Sequence, residues 1–442
     1  MTAYWCELAW LGGGEAERGV LIDVDGERIA AVTSGVPAPL SGAVRLDGLT
    51  LPGLANAHSH AFQRALRGRT QHGTGSFWTW REQMYRAAEQ IDPDTYLALA
   101  RATYAEMALA GVTTVGEFHY LHHGPDGTPY DDPNAMGNAL IQAAAEAGVR
   151  ITLIDACYLH GGIDRPPEGA QVRFSDGTAE AWAERVGALA NDSVRIGAAI
   201  HSIRAVDPES ARVVAGWART GGRPLHAHVS EQPAENKACV EAYGGTPTAV
   251  LADADALDAD FTAVHATHLT DADVDLLGGA GACCCICPTT ERDLADGIGA
   301  MRQLLDAGAS MSLGSDSHAV IDTFEEARAV ELDERLATGE RGRHPAVELL
   351  RAATGRGHVS LGWANAGRIE PGARADLVTV GLDSVRLAGT DARTALESVV
   401  FAAAAADVRH VLVDGRTVVE DGRHTALDVP RELDDAIRAV MG

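Results

Sequence analysis

The sequence predicts an α/β protein, a (β/α)8 TIM-like barrel with a small β-sandwich domain formed from both termini. Three observations predict it. The middle of the 442-residue chain alternates eight short apolar runs with helical patterns. Both ends read as short strands and tight turns. Histidines recur just past the apolar runs, where a barrel would gather its functional groups around one pocket.

At the N-terminal end, residues 19–35 form two β runs around Asp25-Gly26, a hairpin signal. At the C-terminal end, residues 375–384 and 408–423 are again β runs, the second broken at Asp414-Gly415. The expected boundaries are 1–50 plus 366–425 for the β-sandwich domain, 51–365 for the barrel and 426–442 for a C-terminal helix. That helix would start near Asp428 and Pro430. The expected barrel strands are 50–57, 112–118, 149–157, 194–200, 223–229, 260–266, 281–287 and 309–315. Asp92 caps a predicted helix with Pro93 in its first turn, and Gly111 closes it.

Acidic residues outnumber basic ones 62 to 36, a formal charge of −26, which argues against nucleic-acid and anionic-membrane partners. No apolar run approaches the roughly 18 residues of a membrane span, and residues 1–14 make a poor signal peptide. Seven cysteines offer no disulfide framework, which points to a reducing cytoplasm. Cys283, Cys284, Cys285 and Cys287 would alternate faces along a strand, so they read as small buried residues rather than metal ligands.

The strand ends carry the chemistry. His58 and His60 sit in NAHSH, His119 and Tyr120 in GEFHY, His201 and Arg204 in IHSIR. His228 and Glu231 sit in HAHVSE, His265 and His268 in VHATH, and Asp316 in GSDSH; the third strand ends near His160. His-x-His on a strand end puts two imidazoles on one face, and a third His plus an Asp from later strands would complete a site for zinc or ferrous iron. Water on such an ion has a pKa of about 7.

These motifs, with LPGLANAHSH and the IEPGARADLVTV return, resemble the amidohydrolase superfamily over essentially the whole chain. NAHSHAFQRALRG, SFWTWREQMY, GVTTVGEFHYLHH, IHSIR and CPTTERDLADG resemble more closely the formimidoylglutamate deiminases within it. HVSEQ departs from that pattern but keeps the His and the Glu. The resemblance implies that His58, His60, His228 and Asp316 bind one Zn2+ (Fe2+ also being suitable). It implies that Glu231, His265 and Asp316 handle protons, and that Gln63, Arg81, Tyr120, His201 and Arg204 bind a small dicarboxylate, N-formimino-L-glutamate. It also implies a homodimer and a place in histidine degradation. Some superfamily members bridge two metals with a lysine. Lys237, the only lysine, lies in a predicted helix, which favours one metal.

Charge-assisted contacts from Arg81 and Arg204 suit an anionic substrate. The other reading is a deaminase acting on a neutral nucleobase or an aminotriazine, whose pocket needs no arginine pair. A catalytically silent scaffold would lack a ligand or the proton shuttle, and neither is missing. His119, His122 and His123 are expected to line the pocket as a loop rather than bind a second metal. His318 is assigned no role, and Trp78 and Trp80 are read as packing or pocket wall.

Overall fold

The computed structural model describes residues 1–72, 74–189 and 194–442. Strands β1 (Thr2–Ala9), β2 (Glu17–Asp25), β3 (Arg28–Thr33) and β4 (Val44–Pro52) come from the N-terminal end. The barrel strands are β5 (Leu54–Ser59), β6 (Val112–His119), β7 (Arg150–Cys157), β8 (Arg195–Ile200), β9 (Leu225–Val229), β10 (Phe261–His265), β11 (Cys283–Ile286) and β12 (Ser310–Leu313). Strands β13 (Leu377–Val380), β14 (Val408–Val413), β15 (Arg416–Glu420) and β16 (Arg423–His424) follow. The two ends of the chain share one sheet, ordered β16-β15-β14-β13-β4-β1-β2-β3. This is the small domain expected from both termini. Asp25-Gly26 and Asp414-Gly415 lie at its hairpin turns, as their turn chemistry requires.

The second sheet is parallel throughout and runs β5 to β12 in chain order. Its ends meet at a bridge between Ser59 and Asp316. There His60 N donates to Asp316 O over 3.2 Å, and Asp316 N donates to His58 O over 3.0 Å. The barrel therefore closes at the residues singled out as metal ligands. Strands buried on both faces explain why β6 and β7 are apolar runs rather than alternating ones.

One expected strand is corrected. Residues 50–57 do not form a single strand: the chain leaves the terminal sheet at Pro52 and enters the barrel at Leu54. Gly53 makes this hand-over possible. A Cβ there would lie 2.3 Å from Thr113 Oγ1 and 2.7 Å from Asp376 Cβ. The two sheets are also tied by Arg150 of β7, which is buried and donates to both Asp376 oxygens (2.9 and 3.0 Å) and to Asp414 Oδ1 (2.6 Å).

Asp92 caps the helix Pro93–Leu109 by accepting from Thr95 N at 2.8 Å. The closing helix Val429–Met441 buries Val429, Leu433, Ala436 and Val440, one stripe at helical spacing. Arg101 of the first helix holds Glu432 of the second at 2.5 Å. All seven cysteines are free and buried. Cys284 joins the main core, whereas Cys285 and Cys287 pack with Ala57 and Val264 inside the barrel. Among the described residues, no helix is long and apolar enough to cross a membrane.

Candidate active site

Five side chains converge at the C-terminal mouth of the barrel. His58, His228, His265 and Asp316 each offer a ligand atom within 4.8 Å of the others. His60 Nε2 lies 3.3 Å from Asp316 Oδ1, as does His58 Nε2. His265 stands further off, its Nε2 3.9 Å from Asp316 Oδ2. His228 joins His58, His60 and Asp316 through its Nε2, 3.1 Å from His58 Nε2. Gly314 lets β12 run this close to β5, since a Cβ there would come within 2.7 Å of His58 Cβ.

The donor set fits a cation. His60 Nδ1 donates to the Phe118 carbonyl at 2.9 Å, and His228 Nδ1 donates to the His201 carbonyl at 2.9 Å. Carbonyls only accept, so each ring carries its proton on Nδ1 and turns a lone pair inward from Nε2. The His60 lone pair then faces an Asp316 oxygen, and the His228 lone pair lies 3.1 Å from His58 Nε2. Burial lowers the His58 pKa to about 3 and lowers those of His60 and His228, so the three rings are neutral and carry one proton each among several acceptors. Burial pushes the Asp316 carboxyl up, but the His58 hydrogen bond and neighbouring imidazoles outweigh it and keep it ionised. A metal ion in their midst would answer the inward-facing lone pairs. Lys237 is exposed on the helix Pro233–Tyr243, beside Glu241.

His265 sits among three carboxylates: Glu291 (3.3 Å, to Nδ1), Asp316 (3.9 Å) and Glu231 (4.0 Å). Burial works against its imidazolium, yet the Glu291 hydrogen bond and the charges of Glu231 and Asp316 outweigh burial and raise its pKa well above the usual value. Burial raises the Glu231 carboxyl, opposed by His265 and Arg204. The backbone is held in the left-handed region at Ser230 (φ 52°), His265 (68°), Ala266 (51°), Asp316 (43°) and His318 (58°). Five non-glycine residues in this region around one mouth is conformational strain concentrated at a functional site.

Glu231, His265 and Asp316 open onto a cavity of about 310 Å³, which Gln63, Arg81, Tyr120, His201 and Arg204 also line. Gln63 donates to Tyr120 Oη at 3.0 Å, leaving its own buried Oε1 without a partner. The Arg204 guanidinium lies 3.5 Å from Glu231 and 3.8 Å from Glu235, and its Nη1 is buried and unpartnered. Burial disfavours that charge, but Glu235 and Glu231 outweigh burial and raise the Arg204 pKa. Arg81 stacks over Trp78, 4.5 Å from the ring centroid. Trp78 and Trp80 are cavity wall. Burial and the Arg204 cation keep His201 neutral.

Two expectations change. His119, His122 and His123 lie behind the wall rather than on it. His122 uses both ring nitrogens, one toward the Ala156 carbonyl (3.0 Å) and one toward His119 (3.3 Å). The neighbouring Asp155 is taken by both Arg185 nitrogens and by Trp182. His123 faces Asp176 at 3.1 Å. His318 acquires a role: it bridges Ser59 (3.1 Å) to Ser315 (2.9 Å) and so braces the barrel closure. His268 and His160 are peripheral, the latter paired with Asp207 at 3.2 Å on the cavity rim.

Glu291 and Glu235 were not anticipated. The signal for Glu291 was available, because it follows the seventh barrel strand as other site residues follow theirs. Glu235 lies in the first turn of the helix Pro233–Tyr243, and its Oε2 accepts from Glu231 N at 3.2 Å.

A parallel eight-stranded barrel with a histidine–aspartate centre at its C-terminal mouth defines a class of metal-site barrel proteins. Within it, the chain belongs to the amidohydrolase family, whose family model matches residues 49–418. The chain is 36% identical over 439 residues to a formimidoylglutamate deiminase from Pseudomonas aeruginosa, covering 96% of each. It is 29% identical to a 5-methylthioadenosine/S-adenosylhomocysteine deaminase from Natronomonas pharaonis, over 86% of this chain and 83% of that one. Among solved structures, an amidohydrolase from Brucella melitensis superposes with a TM-score of 0.90 at 31% identity, covering all of both chains.

Proposed function

We propose that this protein is a formimidoylglutamate deiminase that hydrolyses N-formimino-L-glutamate to N-formyl-L-glutamate and ammonia, in histidine degradation. The observation that carries the reading is the unpartnered Nη1 of buried Arg204, which lines one cavity with Arg81, Glu231 and the His–Asp centre. Two guanidiniums suit a substrate with two carboxylates. The 36% identity over nearly the full length supports the same reading.

His58, His60, His228 and Asp316 would hold one zinc ion. Bound zinc supplies a water acidic enough to ionise near neutral pH. Glu231 would take a proton from the attacking water and return it to the departing nitrogen. The C–N bond to the terminal nitrogen breaks, ammonia leaves, and the carbon becomes the formyl group. His265 would donate a hydrogen bond to the developing oxygen charge, and Asp316 would take the second proton of the water and pass it on, so that the nitrogen leaves as ammonia carrying both protons. Arg81, Arg204, Gln63, Tyr120 and His201 orient the substrate. The reading includes a cytoplasmic homodimer, with the domain boundaries given above.

The test is ammonia release by zinc-loaded protein from N-formimino-L-glutamate, beside guanine, adenosine and cytosine. Release from the first alone, abolished by a chelator and by Glu231→Gln, is expected. Release from a nucleobase instead keeps the barrel and the metal centre but overturns the roles given to Arg81 and Arg204.

A further inference from the structure

The wall of the cavity beyond His201 contains a hydrogen-bonded unit that the roles above leave unused. Tyr85 and Tyr158 both line the cavity. Behind them, Gln171 is buried and sends its amide nitrogen to both phenol oxygens, 2.9 Å each. The orientation of that amide is fixed from two sides. Its Oε1 accepts from Glu168 N at 3.2 Å, and its Nε2 lies 3.3 Å from the Gly161 carbonyl.

An amide nitrogen can only donate, so neither phenol sends its proton to Gln171, whose two N–H groups are shared among Tyr85, Tyr158 and the Gly161 carbonyl. Their own O–H protons must go elsewhere. At most one can be satisfied between the two adjacent hydroxyls. Among the described residues, neither phenol donates to another protein acceptor, so at least one proton turns toward the cavity. The surroundings there are cationic: Arg81 lies 5.6 Å from the Tyr85 ring centroid, and Arg204 shares the same cavity. Burial pushes the Tyr158 phenol well above its ordinary value, which keeps it protonated and a donor.

We propose that Tyr85 and Tyr158, oriented by Gln171, are specificity-determining residues that donate a hydrogen bond to one of the substrate's two carboxylates. The proposal rests on the deiminase reading above and extends it. The arginines supply charge, which any anion satisfies. The phenols add a directed neutral donor that rewards a carboxylate oxygen at one place. Gln171 touches no substrate and acts as a positioning residue.

The experiment measures steady-state ammonia release by wild-type protein, Tyr85→Phe, Tyr158→Phe, the double variant and Gln171→Leu. Three substrates are compared: N-formimino-L-glutamate, its side-chain amide and its α-amide. The double variant should raise KM for the diacid about tenfold with kcat maintained, the loss of a hydrogen bond to a charged group. That penalty should shrink with one of the two amides, the one that removes the recognised carboxylate, and persist with the other. Gln171→Leu should raise KM in the same selective way but less. An active wild type whose double variant keeps KM within about twofold, or pays the same penalty on all three substrates, overturns this inference alone. A wild type inert toward all three overturns the deiminase reading and this inference together. The single variants, which each remove one hydroxyl, carry the test if the double variant does not fold.

Discussion

Replacing Arg204 with methionine removes a largely buried guanidinium while keeping an unbranched apolar stem. Two consequences follow from its position. Its free Nη1 no longer meets a substrate carboxylate, a charge-assisted contact of about 1.5–3 kcal/mol, which corresponds to a rise in KM of roughly 10- to 150-fold. The second consequence concerns Glu231, 3.5 Å away. At an effective dielectric of about 20, that separation gives a gross attraction of roughly 5 kcal/mol, most of it offset by the burial of both groups. Losing the cation makes the Glu231 carboxylate harder to form, so its pKa rises further. The acid limb of kcat/KM should therefore move to higher pH. The assay is ammonia release from N-formimino-L-glutamate across a pH series, with thermal melting to verify folding. Arg204→Lys should restore the acid limb, because the charge returns, but recover only part of KM, because an ammonium lacks the fork. A folded Arg204→Met protein with KM within about twofold of wild type and an unmoved limb refutes the reasoning.

Three further outcomes are expected. Glu291→Gln should lower kcat about 10- to 100-fold with little change in KM, because His265 loses the carboxylate that fixes its ring but the substrate pocket is untouched; steady-state kinetics check this. Burial raises the Glu117 pKa to about 8 although Ser59 and Ala61 N donate to it, so the folded chain binds a proton that the unfolded chain has already released. A raised folded pKa gives stability that is complete below the unfolded value and lost as pH rises through about 8. Melting temperature should accordingly fall over that window, and Glu117→Gln should flatten the fall. Finally, a chelator should lower the melting temperature, since an ion held by the folded His–Asp set alone stabilises by about 4 kcal/mol at a thousandfold excess over Kd; an unchanged melt argues against a bound metal.

Much of this site was legible locally. His58 and His60 are two residues apart on one strand face, and a single motif places them together. Asp92 and Pro93 start a helix, and Asp414-Gly415 turns a hairpin, for reasons contained in two adjacent residues. The alternation of apolar runs with helical patterns implied a parallel barrel, and a barrel's C-terminal mouth implied that His228, Glu231, His265 and Asp316 would meet. The absence of a second lysine was likewise a fact of composition alone.

What local pattern could not carry was pairing between distant side chains. Glu291 reaches His265 across 26 positions because β10 and β11 are neighbours in the barrel. His318 has no role assignable from the sequence, yet tertiary packing turns it to Ser59 and Ser315, where it braces the closure. The cluster His119, His122 and His123 reads in the sequence as a loop lining the pocket, yet it packs behind the wall, where Arg185 and Trp182 occupy the neighbouring Asp155. Gly53 gives no hint in a run of apolar residues that one strand ends there and another begins. Sequence by itself determined which residue types stand at the ends of the strands, because alternation and spacing are properties of the chain. Only the tertiary structure decided which of them share a proton, a carboxylate or a lone-pair cavity, because those depend on distances set by barrel closure and strand register.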